Sequence, residues 1–273
     1  MQFGFSTYYF SHQRLNSHLL DQVHSSGLRH IEIFAARQHL DYRDANHLRD
    51  VALWLSDHQM TLHALHAPLT ADAARGREGS VPVSTAYLEK RRRIDSMDEL
   101  KRVLEVAERL RFEYLVLHLG LADEEYDLSK FDAAFSTLEH LKIFAKERGV
   151  QLLLENTPNA LSTPERLVEF VQYTRLDLKI CFDAGHAHLA GGFHAAFEVL
   201  KDRIATVHLH DNHGDKDEHL MPCEGTIDWS EAARDLKSLD QSVPLIFELQ
   251  GQTAQTLDRG ALRKVMDKLE ASA

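Results

Sequence analysis

The sequence predicts a single (β/α)8 barrel that spans residues 1–273. The length suits one barrel of this kind. Hydrophobic residues make up 44% of the chain, which is enough to build a large core. Apolar runs of about five residues alternate with helical patterns of about ten to twenty residues, and no linker interrupts them. A doubly wound open sheet is the alternative, but no glycine-rich phosphate loop follows the first strand.

Eight short apolar runs are interpreted as the strands of the barrel, and the longer patterns between them as helices. The predicted strands are Gln2–Thr7, His30–Phe34, Thr61–His66, Tyr114–His118, Gln151–Glu155, Leu178–Asp183, Ile204–His210 and Pro244–Glu248. The predicted helices are Asn16–Ser26, Asp44–His58, Ile94–Leu110, Phe131–Arg148, Pro164–Tyr173, His194–Lys201, Ser230–Ser238 and Leu257–Leu269. A long irregular segment, Leu69–Lys90, contains Gly76, Gly79 and Pro82 and is predicted to be a lid or rim loop.

Charge and cysteine content disfavour proteins that bind nucleic acid or anionic membranes and proteins built on disulfide bonds. The 31 Lys and Arg residues against 42 Asp and Glu residues give a net charge of −11, which disfavours nucleic acid and anionic membranes as partners. The basic run Lys90–Arg93 is predicted to be a solvated first turn of the helix that follows. Cys181 and Cys223 suggest no disulfide framework. With no signal peptide and no apolar stretch of membrane-spanning length, we expect a cytoplasmic protein.

In a barrel of this kind, functional side chains gather where the strands end. Six predicted strand ends carry residues of the types that bind metals: His63, His66, His118, Glu155, Asp183, His186, His188, His208 and Glu248. Burying carboxylates and imidazoles together is costly unless a cation compensates them. The sequence therefore predicts a site for a divalent ion such as Zn²⁺ or Mn²⁺.

The stretch Ile204–Gly225 carries the densest set of such residues. It begins as a strand with His208 and His210 and continues as a polar loop with Asp211, Asn212, His213, Asp215, Asp217 and His219. A solvated polar loop is the alternative interpretation, but the same chemistry at the other strand ends favours a metal site. No G-x-S-x-G motif points to a serine nucleophile instead.

Five motifs resemble the xylose isomerase-like TIM-barrel superfamily, also called AP endonuclease family 2, which includes endonuclease IV and sugar isomerases and epimerases. They are VLHLG, LLLENTP, FDAGHAH, VHLHDNHGDKDEH and FELQG. In the isomerase and epimerase branch, the resemblance implies one divalent metal held by Glu155, Asp183, His208 and Glu248. The family's H-x-x-D pattern favours His208 over His210 as the ligand of strand seven, and that choice stays open.

Endonuclease IV-like members hold three zinc ions, and the resemblance implies further ligands here: His66, His118, His186, Asp217 and His219. All nine positions of that pattern are filled, so we expect one to three ions of Zn or Mn. Two features depart from the family. Cys223 replaces the first glycine of the usual G-E-G and does not reach a positive φ as easily. The arginine that some ketose epimerases carry after strand seven is absent, with only Lys216 nearby.

The leading hypothesis is a metal-dependent isomerase or epimerase of a sugar or sugar phosphate. Glu155 and Glu248 would exchange protons beside a carbonyl, and His186 would position a substrate hydroxyl. Glu32 and Lys216 are further candidates for substrate binding, although a buried salt bridge explains Glu32 equally well. The alternatives are an endonuclease IV-like phosphoesterase with three zinc ions and a non-catalytic barrel that binds a metal or a sugar. We expect a small sugar-like substrate rather than nucleic acid, and the sequence leaves self-association into a homo-oligomer open.

Overall fold

The computed structural model describes residues 1–71, 80–251 and 256–271. Eight parallel strands close into one barrel in chain order, which confirms the predicted fold class. The strands are β1 Gln2–Ser6, β2 His30–Phe34, β3 Thr61–His66, β4 Tyr114–Leu117, β5 Gln151–Glu155, β6 Lys179–Asp183, β7 Ile204–Leu209 and β8 Pro244–Phe247. Because all of them run in the same direction, their carboxyl ends meet at one face of the barrel.

The helices surround this barrel. They are α1 Ser17–His24, α2 Ala45–Asp57, α3 Lys90–Leu104, α4 Leu128–Lys146, α5 Pro164–Thr174, α6 Ala184–Leu189, α7 Phe193–Leu200, α8 Trp229–Ser238 and α9 Arg259–Ala271. Short 3-10 helices lie at Thr7–Phe10, Glu105–Glu108 and Lys201–Arg203. Side-chain oxygens of Asn16, Asp44, Asp127, Thr163 and Asp228 accept hydrogen bonds from first-turn amides, so sequence-local capping sets where several helices begin. Among the described helices, none combines the length and apolar character needed to cross a membrane.

Side chains alternate between the barrel interior and the surrounding helices. On β5, Leu153 packs with Val116 and Cys181 in a small cluster made only of strand residues, whereas Leu152 and Leu154 pack in the larger cluster that contains the helices. Because side chains two apart on a strand share a face, this alternation places Glu155 on the interior side, above Leu153. The same alternation places Asp183, the last residue of β6, above Cys181.

Helix α6 was not predicted. It follows β6 directly, and the Asp183 side chain caps it by accepting a hydrogen bond from the His186 amide at 2.7 Å. The helix has only six residues, so its sequence AGHAHL shows no apolar period that could have revealed it. Its effect is to turn His186 back over the carboxyl end of the barrel.

The segment Leu69–Lys90 is described only in part, because residues 72–79, with Gly76 and Gly79, lie outside the described residues. The two flanks pair with each other: the Ala71 amide donates to the Val81 carbonyl at 2.9 Å, and the Val83 amide to the Leu69 carbonyl at 3.0 Å. A lid role for this segment stays a prediction. Helix α3 begins at Lys90, and the first residues of the basic run are exposed, as predicted for a solvated turn.

Candidate metal centre

The nine side chains predicted as metal ligands gather at the carboxyl ends of the strands in three groups. In each group, one candidate ligand atom per residue lies within 4.8 Å of the others. The first group is His66, His118 and Glu155; the central group is Glu155, Asp183, His208 and Glu248; the loop group is His186, Asp217 and His219, together with His210. Glu155 belongs to both the first and the central group. Cys181 also approaches Glu155 and His208, from below the central group.

The first group is built on the ends of β3, β4 and β5. His66 donates its Nδ1 hydrogen to the Ala67 carbonyl at 2.9 Å, which directs its Nε2 towards Oε2 of Glu155 at 3.1 Å. His118 brings its own Nε2 to the same oxygen at 3.2 Å. Two imidazole nitrogens therefore converge on one carboxylate oxygen.

The central group is fully buried apart from Glu248, which is 3% exposed. Nδ1 of His208 lies 3.4 Å from Oε1 of Glu155, 3.6 Å from Oδ2 of Asp183 and 3.3 Å from Oε2 of Glu248. On the opposite side of the ring, Nε2 of His208 lies 3.1 Å from Oε2 of Glu32. Because a carboxylate only accepts hydrogen bonds, Glu32 holds the ring proton on Nε2 and leaves the Nδ1 lone pair facing the three carboxylates.

Two atoms in this group show that its residues fit a divalent ion. His208 Nδ1 and Glu155 Oε1 are buried and have no hydrogen-bond partner. A lone pair that faces anionic oxygens in a buried site is unfavourable unless a cation lies between them. Three carboxylates and one imidazole are also a ligand set that Zn²⁺ and Mn²⁺ accept.

The loop group joins α6 to the loop that follows β7. His186 donates its Nδ1 hydrogen to the Asn156 carbonyl at 3.0 Å, and His219 donates its own to the Glu248 carbonyl at 2.8 Å. Both rings consequently turn Nε2 towards Oδ2 of Asp217, at 3.2 Å and 3.1 Å. Backbone carbonyls thus orient these two imidazoles, as second partners commonly do for histidines that bind metals.

Burial and the neighbouring charges shift the pKa values of these groups in opposite directions. Burial lowers the pKa of His66, but the hydrogen bond and charge of Glu155 outweigh it and raise that pKa to about 9. Burial also lowers the pKa of His186, but the charge of Asp183 and the hydrogen bond to Asp217 outweigh it and raise that pKa well above its usual value. The carboxyls shift in the other direction: burial raises the pKa of Glu155, but the charges of His118 and His208 bring it well below its usual range. The carboxylates are ionised, and a bound divalent ion would take the place of the imidazole protons.

Asp211, a candidate in the polar loop, has a different role. Its buried carboxylate accepts hydrogen bonds from the Cys223 amide at 3.0 Å, the Ile227 amide at 3.2 Å and Nε1 of Trp229 at 2.7 Å. It does not belong to any of the three groups and instead fixes the path of the loop between β7 and α8. Cys223 in this loop adopts φ 78°, so the cysteine takes the left-handed conformation that favours glycine.

The remaining histidines and acids of the strand ends lie outside the three groups. His63 is buried against the Tyr114 ring, with centroids 5.0 Å apart. His188 pairs with Oγ1 of Thr226 at 2.9 Å. His213 is exposed and pairs with Glu218 at 2.8 Å, and Asp215 is exposed beside it.

A pocket of about 90 Å³ opens above the groups, and Glu155, Glu248 and His186 line it. Tyr8 and Phe34 line it too; sequence analysis missed both, because an aromatic residue at a strand end is equally typical of the core. A larger side pocket of about 260 Å³ shares His66, Leu69, His118, His186 and Asp217 with it.

Two predicted substrate contacts are placed away from these pockets. Glu32 is fully buried beside His208, in agreement with the buried-pair interpretation, and Lys216 is exposed on the loop after β7. Neither is among the described residues that line the two pockets. Their roles in substrate binding stay predictions.

Comparisons with known proteins agree with the barrel fold. An uncharacterized protein of Methanocaldococcus jannaschii is 33% identical over 64% of this chain and 68% of its own length. The stretches matched in three such relatives span 53–68% of their own lengths. A crystal structure of a D-tagatose 3-epimerase-like protein is 25% identical, with a TM-score of 0.81 and coverage of 99% of this chain and 97% of that one. The IolI protein with a bound zinc atom shares the fold at 19% identity, with a TM-score of 0.79 and 98% coverage of both chains.

The family described as xylose isomerase-like TIM barrel matches residues 20–271. The match leaves out residues 1–19, which contain the first strand, and residues 272–273. It confirms the family that the five strand-end motifs predicted. The chain belongs to the xylose isomerase-like TIM barrel family.

Proposed function

We propose that this protein is a divalent-metal-dependent isomerase or epimerase of a small sugar. The observation that carries the proposal is that Glu155 and Glu248 both belong to the central group and both line the pocket of about 90 Å³. Moving a proton to or from a carbon beside a carbonyl requires a base, and inverting that carbon requires a second group to return the proton from the other side. The ends of β5 and β8 supply such a pair.

A divalent ion in the central group would polarise a carbonyl and a neighbouring hydroxyl and so acidify the proton between them. One of these two carboxylates then accepts that proton, and the other, after it has taken up a proton from water, returns one to the carbon. Burial raises the pKa of Glu248, but the charge of His208 outweighs it and lowers that pKa to about 2, so this carboxyl is ionised and able to accept a proton. His186, shared by both pockets, is placed to hold a substrate hydroxyl by a hydrogen bond.

The pocket walls favour a neutral sugar over a phosphorylated one. None of the described residues that line the two pockets is Lys or Arg. A phosphate group in this place would depend on bound ions alone for positive charge. Ser84, Thr85 and Asn159, which line the side pocket, offer neutral hydrogen-bonding groups instead. Solved structures of epimerases, among them an L-ribulose 3-epimerase with a TM-score of 0.78, support the same class of reaction.

A phosphoesterase with three metal ions is the second candidate, and the division of the ligands into groups favours it. Glu155 belongs to two groups and is placed to bridge two ions, while the loop group completes the nine positions. Three ions would supply the positive charge that a phosphodiester requires. The net charge of −11 and the lack of Lys and Arg among the described pocket residues count against nucleic acid as the substrate.

One set of assays separates the two candidates. The metal content per chain is measured by elemental analysis of protein purified without chelator. The loaded protein is then incubated in D₂O with a panel of ketoses, and separately with bis(p-nitrophenyl) phosphate and abasic DNA. Under the proposal, deuterium enters a sugar next to its carbonyl, and Glu248→Gln abolishes this exchange.

The loop group provides the discriminating variants, Asp217→Ala and His219→Ala. Under the proposal, both variants weaken the exchange without abolishing it. The control His213→Ala removes an exposed imidazole of the same loop that lies outside the groups, and it should leave the exchange unchanged. Phosphodiester cleavage that disappears in both loop-group variants, with no exchange into any sugar, would replace the proposal with the phosphoesterase.

A further inference from the structure

We propose that His210 is the fourth ligand of the loop group, so that His208 and His210 of one strand end serve two different ions. The inference rests on the proposed metal dependence and deepens it. It makes the loop group a site with three imidazoles and one carboxylate. It also assigns a role to His210, the one buried histidine of the stretch Ile204–Gly225 that the nine-position pattern does not use.

The contacts of His210 determine which of its nitrogens can bind an ion. The side chain is fully buried, and its Nε2 lies 2.9 Å and 3.0 Å from the two carboxylate oxygens of Asp183. Because Asp183 only accepts hydrogen bonds, the ring proton stays on Nε2. In the neutral ring, Nδ1 then carries a lone pair, as in the carboxylate–histidine–metal arrangements of known sites.

That lone pair faces the loop group. Nδ1 of His210 is buried without a hydrogen-bond partner and lies 3.9 Å from Oδ1 of Asp217. The ligand atoms of His186, His210, Asp217 and His219 all lie within 4.8 Å of one another. Nitrogen ligands around a tetrahedral zinc ion are about 3.4 Å apart, since each Zn–N bond is about 2.1 Å. The His210 and His219 rings are stacked with centroids 3.9 Å apart, so an inward movement of the four side chains together with rotation of these two rings out of the stack would enclose an ion.

A glycine in a distant part of the sequence provides the room for this imidazole. A Cβ atom on Gly185 would lie 2.0 Å from Cε1 and 2.3 Å from Nδ1 of His210. Gly185 is not among the glycines with positive φ, so the requirement here is space rather than backbone conformation. The Asn212 side chain also donates to the Gly185 carbonyl at 2.9 Å, which ties the start of α6 to the loop after β7. The segments Asp183–His186 and His208–Asp211 thus fit each other around the His210 ring.

A fourth protein ligand changes what the loop ion can do. A tetrahedral site with three protein ligands keeps a position open for water or substrate, whereas one with four is closed and structural. An ion in the loop group would then hold the loop after β7 against α6, and would leave the chemistry to the central group. Asp183 links the central group to the loop group, because it belongs to the central group and is the hydrogen-bond partner of His210.

The test is a zinc titration of the full chain after chelator treatment, in competition with a chromophoric chelator, followed by replacement with Co²⁺. The parent should show a loop ion with the intense visible absorption of tetrahedral cobalt. His210→Asn should weaken the binding of that ion 10- to 100-fold and reduce its absorption, while binding at the central group persists. The control His213→Ala should match the parent.

Binding that is unchanged in His210→Asn, with an unchanged cobalt spectrum, would overturn the role of His210 and leave the proposed function standing. Binding of no ion in the parent would overturn both. If His210→Asn does not fold, the parent itself answers the question: loaded with ¹¹³Cd, it should show a one-bond coupling to Nδ1 of His210 by NMR. The absence of that coupling, with couplings at His186 and His219 present, would refute the inference.

Discussion

Nε2 of His208 lies 3.1 Å from a carboxylate oxygen of Glu32, a residue 176 positions earlier in the chain. Both side chains are fully buried, and their strands β7 and β2 are not neighbours, so the pair spans the interior of the barrel. Glu32 thereby fixes which nitrogen of His208 faces the central group. A carboxylate behind a metal-binding histidine also makes that histidine a stronger ligand.

Replacing Glu32 with glutamine tests this relationship. Glu32→Gln keeps the shape of the side chain but removes its charge, so it no longer holds the His208 proton on Nε2. We expect zinc affinity at the central group to fall 10- to 100-fold, measured by competition with a chromophoric chelator. The exposed Glu139→Gln on α4 is the control for loss of one negative charge. An affinity equal to that of the parent would show that Glu32 does not support the metal site.

The strands were predictable because their signal is local. The bounds of β2, β3 and β5 agree with the predicted ones residue for residue, since short apolar runs end there at polar segments. The gathering of strand-end side chains at one face could be predicted because parallel strands must end there, whereas the nine-position pattern was implied by the resemblance to the family. These features require no knowledge of which strand lies opposite which.

The distinction between His208 and His210 could not be predicted from spacing. Two residues apart on a strand, they share a face, and only the register of β7 against β6, which pairs His208 with Asp183, separates their partners. The partnership of Glu32 with His208 was equally hidden, because it depends on closure of the barrel across its interior. Asp211 looked like a ligand in sequence, and only its four hydrogen-bond donors, the amides of Asn212, Cys223 and Ile227 and the indole of Trp229, show that it organises the loop.

Asp211→Asn should destabilise the protein without removing any member of the three groups. An amide keeps one acceptor oxygen but turns an NH₂ group towards donors that a carboxylate accepts. Losing hydrogen bonds to a buried charge should lower the free energy of unfolding by about 2–3 kcal/mol, measured by urea denaturation of the metal-free protein. The exposed Asp215→Asn in the same loop should change it very little. Equal stability of the two variants would contradict the role assigned to Asp211.

Cys223→Gly should stabilise the protein. Cys223 has φ 78°, a conformation that costs a residue with a Cβ atom about 1 kcal/mol or more and costs glycine almost nothing. The hydrogen bond to Asp211 comes from the backbone amide and is retained in the variant. We expect the free energy of unfolding to rise by about 1 kcal/mol in urea denaturation. Cys223→Ser is the matched control: it removes the thiol but keeps the Cβ atom, so stabilisation by serine as well would assign the effect to the thiol.

The metal-free and metal-loaded proteins should differ in how their stability depends on pH. In the metal-free fold, burial lowers the pKa of His66, but Glu155 raises it by more, from its usual value of 6.5 to about 9. Between these two values the folded chain binds more protons than the unfolded chain, so stability decreases as pH rises. This contribution is fully present below pH 6.5 and is lost as pH rises through 9. It amounts to roughly 3 kcal/mol, since each pKa unit corresponds to about 1.4 kcal/mol.

A bound ion in the first group replaces the proton between His66 and Glu155, so the loaded protein should not lose stability over this range of pH. The measurement is urea denaturation between about pH 6 and pH 9.5, with chelator or with zinc, where the range brackets the shifted pKa. His66→Gln, stripped of metal, is the control and should show a shallower decline than the stripped parent. The remaining slope would come from His186, His208 and His219, whose pKa values are raised in the same direction. A stripped parent whose stability is constant over this range would show that His66 carries no proton there and that Glu155 is not its partner.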